Sequence, residues 1–104
     1  MKNILLVGKL LVNIPSPENL IKKDAHYFVA PDLATVQAVF KNNKVIDTVI
    51  MGAGIDLEKR LEIVRYIFNT NDNVTVHMKD YATGPEGFVP FINNVLTGIM
   101  QSEE

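Results

Sequence analysis

The chain contains no cysteine. Disulfides, thiolate metal sites and cysteine nucleophiles are therefore excluded, and no redox compartment can be inferred. It also lacks a basic excess, with ten Lys and Arg against twelve Asp and Glu and a net charge of −2. No basic face or stripe is visible along it, so nucleic acid is not an expected partner. No apolar run approaches the roughly 20 residues of a transmembrane helix, so no membrane partner is expected either. The apolar run near the N-terminus, Ile4 to Val7, is too short for a signal peptide and is followed by no cleavage-site pattern. The expected setting is cytoplasmic. Neither GxGxxG nor a Walker pattern occurs, and no cofactor or metal is expected.

What remains is a globular composition, 47% hydrophobic and 21% charged over 104 residues, which fits one domain spanning residues 1–104. Ile4 to Gly8 reads as a strand buried on both faces. Ser16-Pro17-Glu18 then announces a short helix ending near Lys23-Asp24, through a capping hydroxyl, a proline at the first helical position and an early acid. His26 to Ala30 reads as a second strand. Asp32 is placed to cap a helix whose stripe is Leu33, Val36, Val39 and Phe40. Residues 45–51 follow as a third strand, and Gly52-Ala53-Gly54 turns the chain. Asp56 is placed to cap a third helix, with Leu57, Leu61, Val64, Ile67 and Phe68 expected as its buried stripe. Glu58, Lys59, Glu62 and Arg65 fall mostly on its solvent side.

Residues 74–78 form a fourth strand of different character. Val74, Val76 and Met78 alternate with Thr75, His77 and Lys79, the period of a strand with one poorly covered face. A last helix carries Phe88, Phe91, Ile92, Val95, Leu96 and Ile99 on its core face, with Pro90 in the first turn. Strand and helix thus alternate four times, a (βα)4 order that implies parallel pairing with right-handed crossovers. The expected architecture is a three-layer α/β, flavodoxin-like fold with a four-stranded parallel sheet in the order 2-1-3-4. The first and last helices fall on one face and the middle two on the other, and the fourth strand forms an edge.

Over residues 2–80 the chain resembles the receiver domain of bacterial response regulators. Lys2-Asn3-Ile4-Leu5-Leu6-Val7 is similar to that family's opening strand, and Ile46-Asp47-Thr48-Val49-Ile50-Met51 to its central one. The resemblance implies a flavodoxin-like fold but not the family's phosphotransfer. The positions of its paired acids hold Gly8 and Lys9, that of its phosphoacceptor aspartate holds Gly52, and that of its hydroxyl residue falls near Met78. Its lysine-proline pair has no counterpart.

In open parallel sheets ligands bind beyond the C-terminal strand ends. Lys9, Gly52, Ala53, Gly54, Lys79 and Asp80 are the candidates there, as a backbone cradle for an anion with lysines supplying charge. The structural alternative is a tight turn in which glycine serves the backbone alone, and Asp56 and Glu58 compete for the same N–H groups and helix dipole. His77, Lys79 and Asp80 have the residue types of acid–base work, although no serine or cysteine nucleophile accompanies them. Leu10, Leu11, Val12 and Ile14 lie in an unusually apolar loop, which either folds onto the core or offers a contact patch. Val89 and Met100 add apolar surface to the last helix, and Thr75 and His77 lie on the edge strand, which proteins commonly pair or cover. These residues are the candidate interface. The expectation is a non-catalytic, receiver-like interaction module, homodimeric and open to a further protein partner. A ligand- or anion-binding domain and a small enzyme using His77 are the alternatives.

Overall fold

A computed structural model of the chain describes residues 2–8, 19–42, 45–52, 54–79 and 87–102. The apolar run Lys2–Val7 is the strand β1, and from Ile4 onward none of its side chains meets water. A strand buried on both faces must be central, and β1 pairs in parallel with β2 (Ala25–Ala30) on one side and β3 (Thr48–Met51) on the other. β4 (Thr75–Met78) pairs with β3, giving a parallel sheet in the order β2-β1-β3-β4. The fold is α/β and flavodoxin-like in strand order, and β4 stands at the edge as its alternating pattern implies.

Helix α1 (Leu33–Asn42) begins at Asp32, whose Oδ1 accepts from the Thr35 amide at 2.8 Å and the Thr35 hydroxyl at 2.7 Å. Both hydrogen bonds favour the charged carboxyl, the hydroxyl more strongly, and hold its pKa below the ordinary 3.8. Helix α2 (Leu57–Thr70) is capped in the same way by Asp56, which accepts from the Lys59 amide at 3.0 Å. Helix α3 (Phe88–Ser102) tolerates Pro90 because its first turn has spare amides. Residues from α1 and α2 share one core cluster with Leu5, Val7, Val49 and Met51, whereas α3 packs with Ile4, Leu6 and Ile50 on the opposite face. The middle two of the four expected helices thus share one face and the last lies on the other, as expected of those three.

Three expectations need correction. The first concerns the helix between the first two strands. Ser16, Pro17 and Glu18 lie outside the described residues, and residues 19–24 form no α-helix, so three helices are described instead of four. So few residues before β2 cannot repay helix nucleation. The segment is held from α3 instead. Asn93 Nδ2 donates to Asn19 O at 2.8 Å, Asn93 Oδ1 accepts from Ile21 N at 3.0 Å, and Leu20 fills the α3-side core. Tyr27 adds a hydroxyl bond to Lys22 O at 2.7 Å, and burial raises its pKa above 10.0.

The second correction shortens β3. Residues 45–47 are a lead-in, because Asp47 is committed to β1. Its carboxylate accepts from Asn3 N at 2.8 Å, and its own amide donates to Asn3 O at 2.9 Å. The third correction concerns α2. Its buried residues are Arg60, Ile63 and Ile67, while Leu57, Leu61 and Phe68 are 56%, 43% and 46% exposed. The apolar arc of this helix is wider than the surface available to cover it. The edge contacts below give the reason.

Candidate functional site

The register fixes which way β4 presents each residue. Thr48, Val49, Ile50 and Met51 pair with Thr75, Val76, His77 and Met78. Val49 and Met51 belong to the cluster under α1 and α2, and Ile50 to the one under α3. Side chains alternate along a strand, so Val76 and Met78 share the α2 face while Thr75 and His77 share the α3 face. The backbone alternates as well. Thr75 N donates to Asp47 O at 3.2 Å and Lys79 N to Met51 O at 2.8 Å. Positions 75, 77 and 79 therefore turn their amides toward β3, and positions 74, 76 and 78 turn theirs outward. Among the described residues no strand pairs with that outer side.

Helix α2 flanks the same edge. Tyr66 packs edge-on against Phe40 of α1, ring centroids 6.2 Å apart, which identifies the flank of α2 that faces α1. At roughly 100° per residue, Leu57, Leu61, Val64 and Phe68 stand on the other flank, toward β4. This is where the 42%-exposed Met78 also lies. The exposed row of α2 and the α2 face of β4 thus border one uncovered margin of the molecule. The loss of apolar cover falls here because no further strand or helix extends the sheet past β4 among the described residues.

On the α3 side, His77 and Thr75 line a groove of about 740 Å³ with Lys2, Asp47, Thr48, Asn94, Val95, Gly98 and Ile99. A histidine, a lysine and a carboxylate meet there. Asp47, however, is engaged by Asn3, and the two threonine hydroxyls, Thr75 and Thr48, bond to each other at 3.3 Å. No serine lines the groove, and among the described residues no cluster of three metal-ligating side chains forms.

The C-terminal edge of the sheet is built differently from a cradle. Gly8, Gly52 and Lys79 each give their amide to a neighbouring strand, at Ala30 O, Val7 O and Met51 O. Gly52 is roofed by the Phe88 ring, whose nearest atom would lie 3.4 Å from an added Cβ. Its backbone is not in the left-handed region. An added Cβ would meet that ring at ordinary van der Waals distance, so neither a turn angle nor a close approach demands glycine here. Gly54 lines a second cleft of about 600 Å³ with Pro31, Asp32, Ile55, Asp56 and Lys59. Both capping carboxylates, Asp32 and Asp56, stand in it, occupying the helix N-termini an anion would use.

A residue that sequence patterning passed over, Arg60, lies at this edge. It is 5% exposed and its Nη1 donates to Lys79 O at 2.8 Å, while its Nε has no partner. Lys79 beside it is 3% exposed. A charged residue inside an apolar arc, at the i−3 position from Ile63, was the available signal. Of the other candidates, Val89 is half-buried against the α3-side core and Met100 is exposed on α3. Lys9, Leu10, Leu11, Val12, Ile14, Ala53 and Asp80 lie outside the described residues.

The fold defines the class, a small α/β protein with an open, parallel four-stranded sheet whose edge strands are β2 and β4. Comparison with protein-family models, with curated proteins and with solved structures finds no match to this chain. Among the described residues no helix is long and apolar enough to cross a membrane.

Proposed function

We propose that the chain is a non-catalytic, receiver-like interaction module that works as a homodimer in the cytoplasm. The observation that carries this reading is the margin where an unpaired strand edge meets a row of exposed apolar side chains on α2. Contiguous apolar surface rimmed by polar residues marks contact sites, and unpaired edges are normally covered. Glycine at the position of the receiver's acceptor aspartate supports the non-catalytic part. Light scattering at tens of micromolar protein tests the proposal. Wild type is expected as a dimer and Leu61→Glu as a folded monomer. A wild-type mass of one chain defeats the reading.

One observation favours a second reading, an anion-binding domain at the C-terminal edge. Arg60 is buried and its Nε has no hydrogen-bond partner, and a buried cation calls for a counter-charge. Calorimetry with inorganic phosphate and pyrophosphate, on wild type and Arg60→Met, separates the two. Binding that Arg60→Met abolishes favours the anion site, and absence of binding leaves Arg60 a structural tie to Lys79 O.

A further inference from the structure

We infer that the edge of β4 pairs antiparallel with the same edge of a second copy, with the two-fold axis through Val76, so that the two sheets join and α2 packs on the partner's α2. This rests on the homodimer reading and adds its geometry.

The hydrogen-bonding parity of β4 selects the register. In an antiparallel pair, residues opposite one another both point toward the partner or both point away. A two-fold axis must therefore pass through a residue and not between two. Positions 74, 76 and 78 point outward. An axis at Val76 sets Val76 against the partner's Val76 and Val74 against the partner's Met78, so every outward amide and carbonyl on the strand meets its counterpart. An axis at Thr75 sends Met78 past the strand to the partner's Asp72, and one at His77 sends Val74 beyond the partner's Lys79. Counting Val74, which directly precedes β4, the Val76 axis is the one that engages all three outward positions, 74, 76 and 78, at once.

Side-chain chemistry agrees with this register. On the α2 face, Val74, Val76 and Met78 oppose the partner's Met78, Val76 and Val74. On the α3 face, Thr75 opposes the partner's His77. Isolated edges are usually guarded by lysine, proline or other charge, and Thr75–Met78 carries no lysine, acid or proline. A second copy therefore brings no fixed like charge against it.

The helices then come within packing distance. Arg60 of α2 reaches Lys79 O at the end of β4, while Tyr66 on its other flank meets α1, the helix that contacts β2, so α2 lies on the β3–β4 side of this face. With strands about 4.8 Å apart, a helix over that pair sits about 5 Å from the axis and about 10 Å from its mate. That separation is the outer end of the range for packed helices, and long side chains are needed to fill it. Leu57, Leu61 and Phe68 provide them. The mates run antiparallel, because an axis normal to the sheet reverses direction and keeps each helix on its face. Arg60 reaches from α2 to Lys79 O, and helical side chains lean toward the N-terminus, so the stretch between Leu61 and Val64 lies level with Val76. Glu58 then flanks the partner's Arg65, and Arg65 the partner's Glu58, which is complementary charge at both ends of the apolar row on its solvent side.

Cysteine cross-linking tests this against a clean background, since the chain has no cysteine of its own. Directly opposed residues of the non-hydrogen-bonded kind have Cα atoms about 4.5 Å apart, within disulfide reach. Thr75→Cys combined with His77→Cys is expected to give a covalent dimer under mild oxidation, and each single variant is expected not to. Cross-linking of His77→Cys alone moves the axis to His77 and overturns the register. A wild-type dimer in which none of the variants cross-links puts the contact elsewhere, overturning this inference while leaving the dimer reading intact. A monomeric wild type removes both. Should the double variant fail to fold, wild-type amide exchange decides: protection of Val76 and Met78 that rises with protein concentration supports the pairing, and none overturns it. For the helices, Glu58→Arg and Arg65→Glu should each weaken dimerisation ~10-fold. The two together should restore it, and failure to restore overturns the α2 contact.

Discussion

Replacing Ile63 and Leu61 by alanine, one at a time, separates the buried flank of α2 from its exposed row. Ile63 is 1% exposed and packs in the cluster with Val36, Phe40, Val49 and Ile67. Truncation there loses the transfer energy of the removed carbons and leaves a cavity between α2 and the sheet, about 2–5 kcal/mol in all. Leu61 is 43% exposed. Full burial of a leucine contributes about 1.5–3 kcal/mol. Leu61 realises little more than half of that and leaves no enclosed cavity, so its truncation costs about 1 kcal/mol. A domain this small moves about 4–8 °C in Tm per kcal/mol, so Ile63→Ala should melt at least about 8 °C lower and Leu61→Ala about 4–8 °C lower. Urea unfolding followed by circular dichroism measures both. It should be run at low and high protein concentration, because dimerisation adds concentration-dependent stability that Leu61→Ala would also remove. At low concentration the order is the test. If Leu61→Ala costs as much as Ile63→Ala there, the row Leu57, Leu61, Val64 and Phe68 is core after all, and the open margin beside β4 does not exist.

Three further outcomes are expected. Ile92→Ala, at a fully buried site on α3, should cost about 2–5 kcal/mol in the same urea assay, and more than Phe91→Ala at its half-buried neighbour relieves in transfer energy alone, about 1–2 kcal/mol. Asn93→Leu should leave Ile21 N and Asn19 O to water, costing about 0.5–1.5 kcal/mol and accelerating amide exchange at Ile21. Asp32 and Asp24 titrate below 3.8, Asp32 through its bonds from Thr35 and Asp24 through its hydrogen bond and ion pair with Lys22. Depressed carboxyl pKa values contribute stability that is present above the unfolded value and lost as pH falls through the folded one. The urea midpoint should therefore decline below about pH 4, and less steeply in Asp32→Asn, which keeps the cap but not the charge; an unchanged slope would refute the assignment to Asp32.

Much of the fold was legible because its signals are local. Ile4 to Val7 is apolar without interruption, which only a central strand tolerates, and Thr75 to Met78 alternates, which suits an edge. Asp32 and Asp56 stand directly before apolar periodicity, and both cap in the structure. The segment before β2 misled because the capping pattern is a local signal, and residues 19–24 after it form no α-helix. At the margin, the residue types were legible and their disposition was not: Leu57, Leu61 and Phe68 have the spacing of a core stripe, and spacing alone does not say which part of a wide apolar arc meets the sheet. Arg60 went unread for the converse reason, since a cation within an arc looks like its polar boundary until a carbonyl such as that of Lys79 is found above it.

The amino-acid order by itself determined the four strands, the last three of the four expected helices, the parallel pairing and the place of the fourth strand at the edge, because periodicity, caps and crossover handedness act over a few residues or follow from chain direction. Only the tertiary structure decided the rotation of α2 about its axis. That rotation depends on how far Tyr66 must turn to meet Phe40 and Arg60 to meet Lys79 O, contacts between residues distant in the chain. It is also what leaves Leu57, Leu61 and Phe68 facing outward beside β4, since a helix can press only one flank against a sheet that ends beneath it.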